Sequence, residues 1–432
     1  MSVTYDQLQE AIARMREARQ RILAREVDSI IYSLARAAAD WLPADSPWRR
    51  QAVEHAPATT RFSPEMIHEA ITLTFSTITN ESLGAMLDRE LGTRYVLDKF
   101  CTIGNTQTRA HGPNFITHVL AGNIPMPGIV SICCGLLLRS ANLVKTSHLD
   151  PIFPDLFVQS LREVDPHLAD CVAVLNWGRE ENALTKAALA PADAVIVYGD
   201  DKTVATMKAE SPPSATFLGY GHKISFALVT KDAMTTANLP ALAEAAAHDV
   251  SVYDQQGCLS PHLFYVEERG ELSPRKFAAA LAQAMAAYQA RIPRGSLSPE
   301  ESVTISRVRD AYEYRASRDR RAAVWRSVET NDWAVIYEDD PSFMPSCLNR
   351  LVFVKPTDGF PRVLSSIERI AEQISTVGIA PMNDRSTALA SDLATMGIHR
   401  VCPVGQMQKP ALALRHDGRP HLAELVRWTD AG

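Results

Sequence analysis

The stretch Phe115-Ile116-Thr117-His118-Val119-Leu120-Ala121-Gly122-Asn123-Ile124-Pro125 decides the fold. Its mostly apolar first half predicts a strand over 115–120. Gly122 and Asn123 supply turn residues, and an amphipathic run predicts a helix over 127–139. The pattern then repeats downstream. Strands are predicted over 142–146, 172–176, 194–198 and 215–218, with helices over 154–164, 180–189 and 202–209 between them. Short strands alternating with helices imply parallel βαβ units and a doubly wound sheet, an α/β fold class. Such sheets bind ligands beyond the carboxyl ends of their strands. The residues to weigh are therefore those just past each strand. They are Asn123 and its turn, Lys145-Thr146-Ser147-His148, Gly199-Asp200-Asp201, and Gly219-Tyr220-Gly221-His222-Lys223.

Upstream of this region the period is helical. Thr4-Tyr5-Asp6-Gln7 has capping-box spacing. Leu8, Ile12, Met15, Leu23, Val27, Ile30, Ile31 and Leu34 then predict one long helix or two over 4–42. Arg14, Arg16, Arg19 and Arg21 read as a solvated face rather than a docking stripe. Ser63-Pro64-Glu65-Met66 starts a further helix with Ser as N-cap and Pro at the first position. Its pattern runs to about Leu91, where Gly92 stops it. Downstream, a second domain begins at Ile224. Strands are expected over 224–229, 262–267, 333–337, 350–354 and 399–403, and helices over 239–250, 275–291, 363–373 and 386–396. Residues 292–330 are charged and weakly patterned. The expected domains are thus a helical segment over 1–92, a doubly wound domain over 93–223, a second α/β domain over 224–404, and a tail over 405–432.

Composition excludes several function classes. A net charge of −6 gives no basic surface for nucleic acid. The seven cysteines form no CxxC pair, so neither a zinc ribbon nor a thioredoxin motif is present. The twelve histidines show no HExxH spacing, and no metal site is expected. No apolar run approaches the ~20 residues of a membrane helix. The first apolar residues are helically spaced and broken by charges, so no signal peptide is expected. A reducing cytoplasm with free thiols is the expected compartment.

The chemistry centres on Asp254-Gln255-Gln256-Gly257-Cys258-Leu259-Ser260-Pro261. This polar turn lies between an Ala-rich helix and a strand, and it presents one thiol. Cys258 there is a candidate nucleophile, although a free cysteine is more often a small buried hydrophobe. Asn123 offers a carboxamide N–H to an oxyanion, or merely caps its turn. Lys145 ends a strand and would pair with an anionic ligand. Gly219 and Gly221 supply only two glycines of a dinucleotide fingerprint, so that motif is rejected. Asp200 is better read as a helix N-cap than as a phosphate contact.

The order of these motifs resembles the aldehyde dehydrogenase superfamily. The Asn-Phe-Pro of that superfamily is matched by Asn123-Ile124-Pro125, and its Lys-Pro-Ser-Glu by Lys145-Thr146-Ser147-His148, with Pro151 also in place. Its Gly-Ser turn is matched by Gly199-Asp200, its Glu-Leu-Gly-Gly-Lys by Gly219 to Lys223, and its Gly-Gln-x-Cys by Gln255-Gln256-Gly257-Cys258. Within the superfamily the chain is most similar to the acyl-CoA reductases of the LuxC type. Leu120-Ala-Gly-Asn-Ile-Pro125, Gln256-Gly-Cys-Leu-Ser-Pro261, the helix start at Ser63, His416-Asp417-Gly418 and Arg427-Trp428 carry that likeness.

The resemblance implies an aldehyde-dehydrogenase-like fold: a helical lead-in, a doubly wound NADP(H)-binding domain and an α/β catalytic domain. It implies Cys258 as nucleophile and Asn123 as oxyanion donor. Lys145, Thr146, Ser147, His148, Gly199, Asp200, Gly219 and Gly221 would bind the cofactor. Gly219 stands where hydrolytic members carry a general-base glutamate, so an acyl-cysteine would resist water. His148 stands where NAD-preferring members carry an acid, which favours NADPH. Asp200 departs from the pyrophosphate pattern. The implied reaction is NADPH-dependent reduction of a fatty acyl thioester to a fatty aldehyde through S-acyl-Cys258. The donor would be a fatty acyl-CoA, an acyl carrier protein or a cysteine of an acyl-protein synthetase partner. A homo-oligomer is expected. An NAD-dependent aldehyde dehydrogenase, an acyl-phosphate reductase and a non-catalytic acyl relay are the alternatives.

Overall fold

Thr4 caps the first helix, Tyr5–Ile22, through a reciprocal pair of hydrogen bonds with Gln7. The computed structural model describes residues 3–432. The span 4–42 forms two helices, Tyr5–Ile22 and Val27–Ala39. Ser63 Oγ accepts from Met66 N at 3.1 Å and caps the helix Pro64–Phe75. The expected continuation to Leu91 is broken. Thr79 caps a separate helix, Asn80–Leu91, and Gly92 ends it at φ +80°. Thr77, Ile78 and Thr79 are β-branched, and the Thr79 hydroxyl bonds the backbone ahead of it, which favours a cap over helix interior.

The chain forms two compact units. The first holds the chain up to Thr60, Ile67–His222 and Ala411–Gly432; the second holds Arg61–Met66 and Lys223–Pro410. Most of the helical lead-in and most of the tail therefore share a unit with the doubly wound sheet.

In the first unit, β1 (Cys101–Ile103) and β2 (Thr106–His111) form a small antiparallel sheet with the tail strand Arg427–Ala431. These strands were not legible because they are polar and largely exposed, and backbone pairing alone defines them. The tail is anchored by Glu90, whose carboxylate accepts from the backbone N–H groups of His421, Leu422 and Ala423 at 2.9, 2.6 and 3.1 Å. The main sheet contains β3 (Phe115–Val119), β4 (Ala141–Thr146), β5 (Val172–Asn176), β6 (Ala194–Tyr198) and β7 (Thr216–Tyr220). It is parallel throughout, in the order β5-β4-β3-β6-β7. The strand order reverses between β3 and β6. One face packs on Leu8, Ile12 and Met15 of the first helix with Leu184 and Leu189.

In the second unit, β8 (Ile224–Val229), β9 (Pro261–Glu267), β10 (Ala322–Arg326), β11 (Ala334–Glu338), β12 (Leu351–Thr357), β13 (Ile374–Ala380) and β14 (Arg400–Pro403) form one sheet. Its order is β10-β11-β12-β9-β8-β13-β14, with only β10 antiparallel to its neighbour. Apolar clusters cover both faces, which is why its central strands are apolar on both sides. The weakly patterned span 292–330 contains a 20-residue helix, Pro299–Arg318, and strand β10. Only Ile305, Arg309 and Tyr312 of that helix are fully buried, so its apolar stripe is thin. The capping box Ser298-Pro299-Glu300-Glu301 was its readable signal. Among the described residues, no helix is long and apolar enough to cross a membrane.

Candidate active site

The first unit gathers its candidate residues at the carboxyl end of one sheet. Asn123 follows β3, Ser147 and His148 follow β4, and Gly199 and Asp200 follow β6. The reversal between β3 and β6 makes this end the expected ligand crevice of a doubly wound sheet. Adjacent turns touch closely. A Cβ at Gly122 would stand 2.5 Å from Leu149 Cβ and 2.7 Å from Ser147 Oγ, so glycine lets the β3 and β4 turns meet. Asp201 Oδ1 accepts from His222 N at 3.0 Å, which ties the turn containing Gly221 to the helix after β6. Asn123 and His148 are both exposed in this group.

Lys145 is only partly exposed, and its ammonium lies 5.4 Å from the centre of the Trp177 ring. Burial lowers its pKa, Arg179 lowers it further, and Glu180 opposes both. Arg179 is thus a second cation beside Lys145, and it also acts on Asp200. Trp177 and Arg179 were missed by sequence reasoning. Their place just past β5, at the same end of the sheet, was the available signal. Thr146 is buried, and its oxygens accept from Asn176 Nδ2 at 3.0 and 3.1 Å, so it joins β4 to β5. Ser147 Oγ accepts from Leu149 N at 3.2 Å and shapes its own turn.

One placement differs from expectation and one agrees with it. Gly219 does not follow its strand; it lies inside β7, paired with Val197. A Cβ there would meet Val204 Cγ1 at 2.6 Å and Phe217 Cε1 at 2.8 Å. A glycine at 219 is therefore required by packing against the helix Asp201–Glu210, whatever else it does. Asp200, as foreseen, is an N-cap: its carboxylate accepts from Thr203 N at 2.7 Å. The hydrogen bonds from Thr203 hold that carboxylate below its usual range.

These residues fit a phosphorylated dinucleotide in part. Lys145 and Arg179 supply positive charge beside the turn that carries the exposed His148, and no acid stands at 148 to repel a ribose phosphate. The N-terminus of the helix Asp201–Glu210 does not fit a diphosphate, because the Asp200 carboxylate already accepts from Thr203 N and its charge would repel the anion.

Cys258 belongs to the second unit, where its thiol-bearing turn lies at the amino end of β9. The helix Leu239–Ser251 ends, and the chain enters three consecutive left-handed residues: Tyr253, Asp254 and Gln255, at φ 53°, 50° and 65°. None is glycine. At about 1–2 kcal/mol for each, the three store roughly 3–6 kcal/mol. Strain of this kind persists only where the surroundings impose it, and it concentrates at functional sites. The surroundings are on view. Gln255 Nε2 donates to Pro261 O at 2.9 Å and closes a loop around Cys258. Ser225 Oγ donates to Cys258 O at 2.7 Å. Ser260 Oγ accepts from Gln408 Nε2 at 3.0 Å, and Gln408 also donates to Asp249 O at 2.8 Å. Cys258 itself is partly exposed, whereas Cys133, Cys134, Cys171 and Cys402 are buried. Burial pushes the Cys133 thiol up to about 12 and that of Cys402 to about 11, which leaves them protonated and poor nucleophiles.

Comparison with known proteins agrees with this architecture. Residues 22–428 match the family model described as acyl-CoA reductase (LuxC). The chain is 25% identical to a long-chain acyl-protein thioester reductase of Vibrio harveyi over 407 residues, covering 93% of this chain and 82% of that protein. It is 26% identical to the enzyme of the same name from Aliivibrio fischeri over 372 residues, covering 85% and 74%. Among solved structures, the aldehyde dehydrogenase KauB from Pseudomonas aeruginosa superposes with a TM-score of 0.73 at 13% identity, covering all of this chain and 89% of its own. An NAD-dependent benzaldehyde dehydrogenase from Corynebacterium glutamicum gives 0.71 at 13% identity, covering all of this chain and 91% of its own. At such identities these structures establish the aldehyde dehydrogenase fold alone.

Proposed function

The chain belongs to the acyl-CoA reductase (LuxC) family, and from that premise we propose that it reduces a fatty acyl thioester to the aldehyde with NADPH, carrying the acyl group on Cys258. Family membership makes it an acyl reductase. The strained turn that presents the Cys258 thiol carries the covalent part of the reading.

In this mechanism the Cys258 thiolate attacks the acyl carbonyl. The Cys258 N–H stabilises the oxyanion that forms, a role the family resemblance also gives to the Asn123 carboxamide. The oxyanion collapses, the donor thiolate leaves and takes a proton, and the acyl group stays on sulfur. When bound, the nicotinamide supplies the hydride that reduces this thioester. Lys145, Arg179 and His148 would hold the phosphorylated ribose. The Cys258 N–H serves the second oxyanion as it served the first. On collapse, Cys258 leaves as thiolate and the aldehyde departs. The names of the relatives favour a long-chain acyl group delivered on a protein thiol, which would require an acyl-protein synthetase as partner.

The test is NADPH oxidation that depends on acyl-CoA or acyl-protein. Cys258→Ala is expected to abolish both turnover and covalent labelling by a radioactive acyl donor. Labelling retained on another cysteine would overturn the assignment of the nucleophile.

A further inference from the structure

A second left-handed run faces the first. Leu348, Asn349 and Arg350 have φ of 63°, 57° and 64°, and they lead directly into β12, the strand beside β9. None of the three is glycine. One contact joins the two runs directly, and another ties the residue that follows the first run to the second. Gln256 Nε2 donates to Asn349 Oδ1 at 3.1 Å. Arg350 Nη2 stands 2.7 Å from Asp254 Oδ1, in an ion pair whose N–H does not point along the oxygen axis. Both side chains are buried, with 1% and 7% exposed. The pair is further braced. Arg350 Nη1 donates to Gln289 Oε1 at 2.6 Å and to Ile292 O at 2.9 Å, and the guanidinium lies 5.3 Å from the centre of the Tyr288 ring. Asp254 Oδ2 accepts from Gly295 N at 3.0 Å.

We propose that Asp254 and Arg350 are positioning residues for the Cys258 thiol, holding two left-handed turns in register so that acyl transfer to sulfur is fast. The inference rests on Cys258 being the acyl carrier. Neither residue needs to meet the substrate. Asp254 lies four positions before Cys258, on the backbone between the helix and the thiol, and it is the middle of three consecutive left-handed residues, a run that L-residues hold only under constraint. A buried, charge-paired partner just before a neighbouring strand supplies that constraint. A merely stabilising pair would not need to lock two strained turns, since an apolar pair of the same volume serves stability as well.

The experiment separates the half-reactions. Single-turnover acylation of Cys258 by a labelled acyl-CoA is measured for the full-length protein, Asp254→Asn and Arg350→Lys, together with NADPH affinity by fluorescence and melting temperature. The expected result is acylation slowed at least tenfold in Asp254→Asn, with less loss in the charge-conserving Arg350→Lys. The acyl-CoA concentration for half-saturation and the affinity for NADPH should change by less than about threefold. Wild-type acylation rates in both variants overturn the proposal, as does an equal loss of rate and of NADPH affinity. If the unaltered protein takes no acyl group on Cys258, the functional reading fails. The positioning claim is then decided by iodoacetamide alkylation of Cys258, and an unchanged alkylation rate in Asp254→Asn overturns it. Asp254→Asn keeps the side-chain shape, and the alkylation assay needs no turnover, so one variant's misfolding does not leave the matter open.

Discussion

Ser225 Oγ, at the start of β8, donates a 2.7 Å hydrogen bond to the carbonyl of Cys258. The same hydroxyl accepts from Thr376 N of β13 at 3.1 Å. One buried serine thus joins the backbone of Cys258 to two strands of the sheet. Ser225→Ala removes the donor and leaves a carbonyl and an N–H without their partner. A loss of about 1–3 kcal/mol is expected, read by denaturant titration. Turnover should fall more than stability predicts. A variant with unchanged midpoint and rate would show that this bond is incidental.

Cofactor selectivity should follow the charges past β4 and β5. Lys145→Met and Arg179→Met are each expected to weaken NADPH by roughly tenfold or more, the scale of a lost charge-assisted contact, and to weaken NADH less. His148→Glu should shift preference toward NADH. Fluorescence titration with both cofactors checks all three. Equal losses for NADPH and NADH would place the ribose phosphate elsewhere.

Gly219 invites two explanations that one variant separates. Its Cβ position faces Val204 and Phe217 at under 3 Å, so Gly219→Ala should cost about 1–3 kcal/mol by overpacking. Gly219→Glu should destabilise further without raising thioester hydrolysis, because its side chain starts against the helix Asp201–Glu210. A folded Gly219→Glu protein that hydrolyses acyl-CoA faster would restore the reading in which the missing carboxylate protects the acyl enzyme.

Acid should loosen the first unit through Asp165. Burial pushes this carboxyl up, but the Ser33 hydroxyl, the Arg25 guanidinium and the Leu168 N–H outweigh that and hold it below the usual carboxylate range. The contacts are short, 2.7 Å to Ser33 and 2.6 Å to Arg25. A carboxyl with a folded-state pKa below its unfolded value adds stability above about pH 4 and loses it as pH falls through the folded value. Melting temperature should therefore drop on acidification below about pH 4, and Asp165→Asn should melt lower at pH 7 with a shallower acid slope. An identical slope in the variant would remove Asp165 from the account.

Much of the first unit was legible because its signals are local. The Thr4 capping box, the Gly92 stop and the strand–helix alternation from Phe115 all rest on residues within a few positions of each other. The helix Pro299–Arg318 and the tail strand were not, since one has a thin apolar stripe and the other has none. Arg179 escaped for a different reason. Its place just past β5 was a signal, but its nearness to Lys145 shows only once β5 is seen beside β4.

The sequence by itself determined the α/β class, the family, and the place of Cys258 between a helix and a strand. Those follow from periodicity, capping and motif order, which are properties of neighbouring residues. Only the tertiary structure decided the geometry of the turn that presents Cys258. Tyr253, Asp254, Gln255, Leu348, Asn349 and Arg350 give no hint of left-handed backbone, because no glycine marks it. Partners distant in the chain pack against them, among them the buried Asp254–Arg350 pair. The thiol also sits at the amino end of β9, opposite to the end where a doubly wound sheet binds its ligands. Strand alternation identifies the sheet, but which end carries the chemistry depends on how its turns are held.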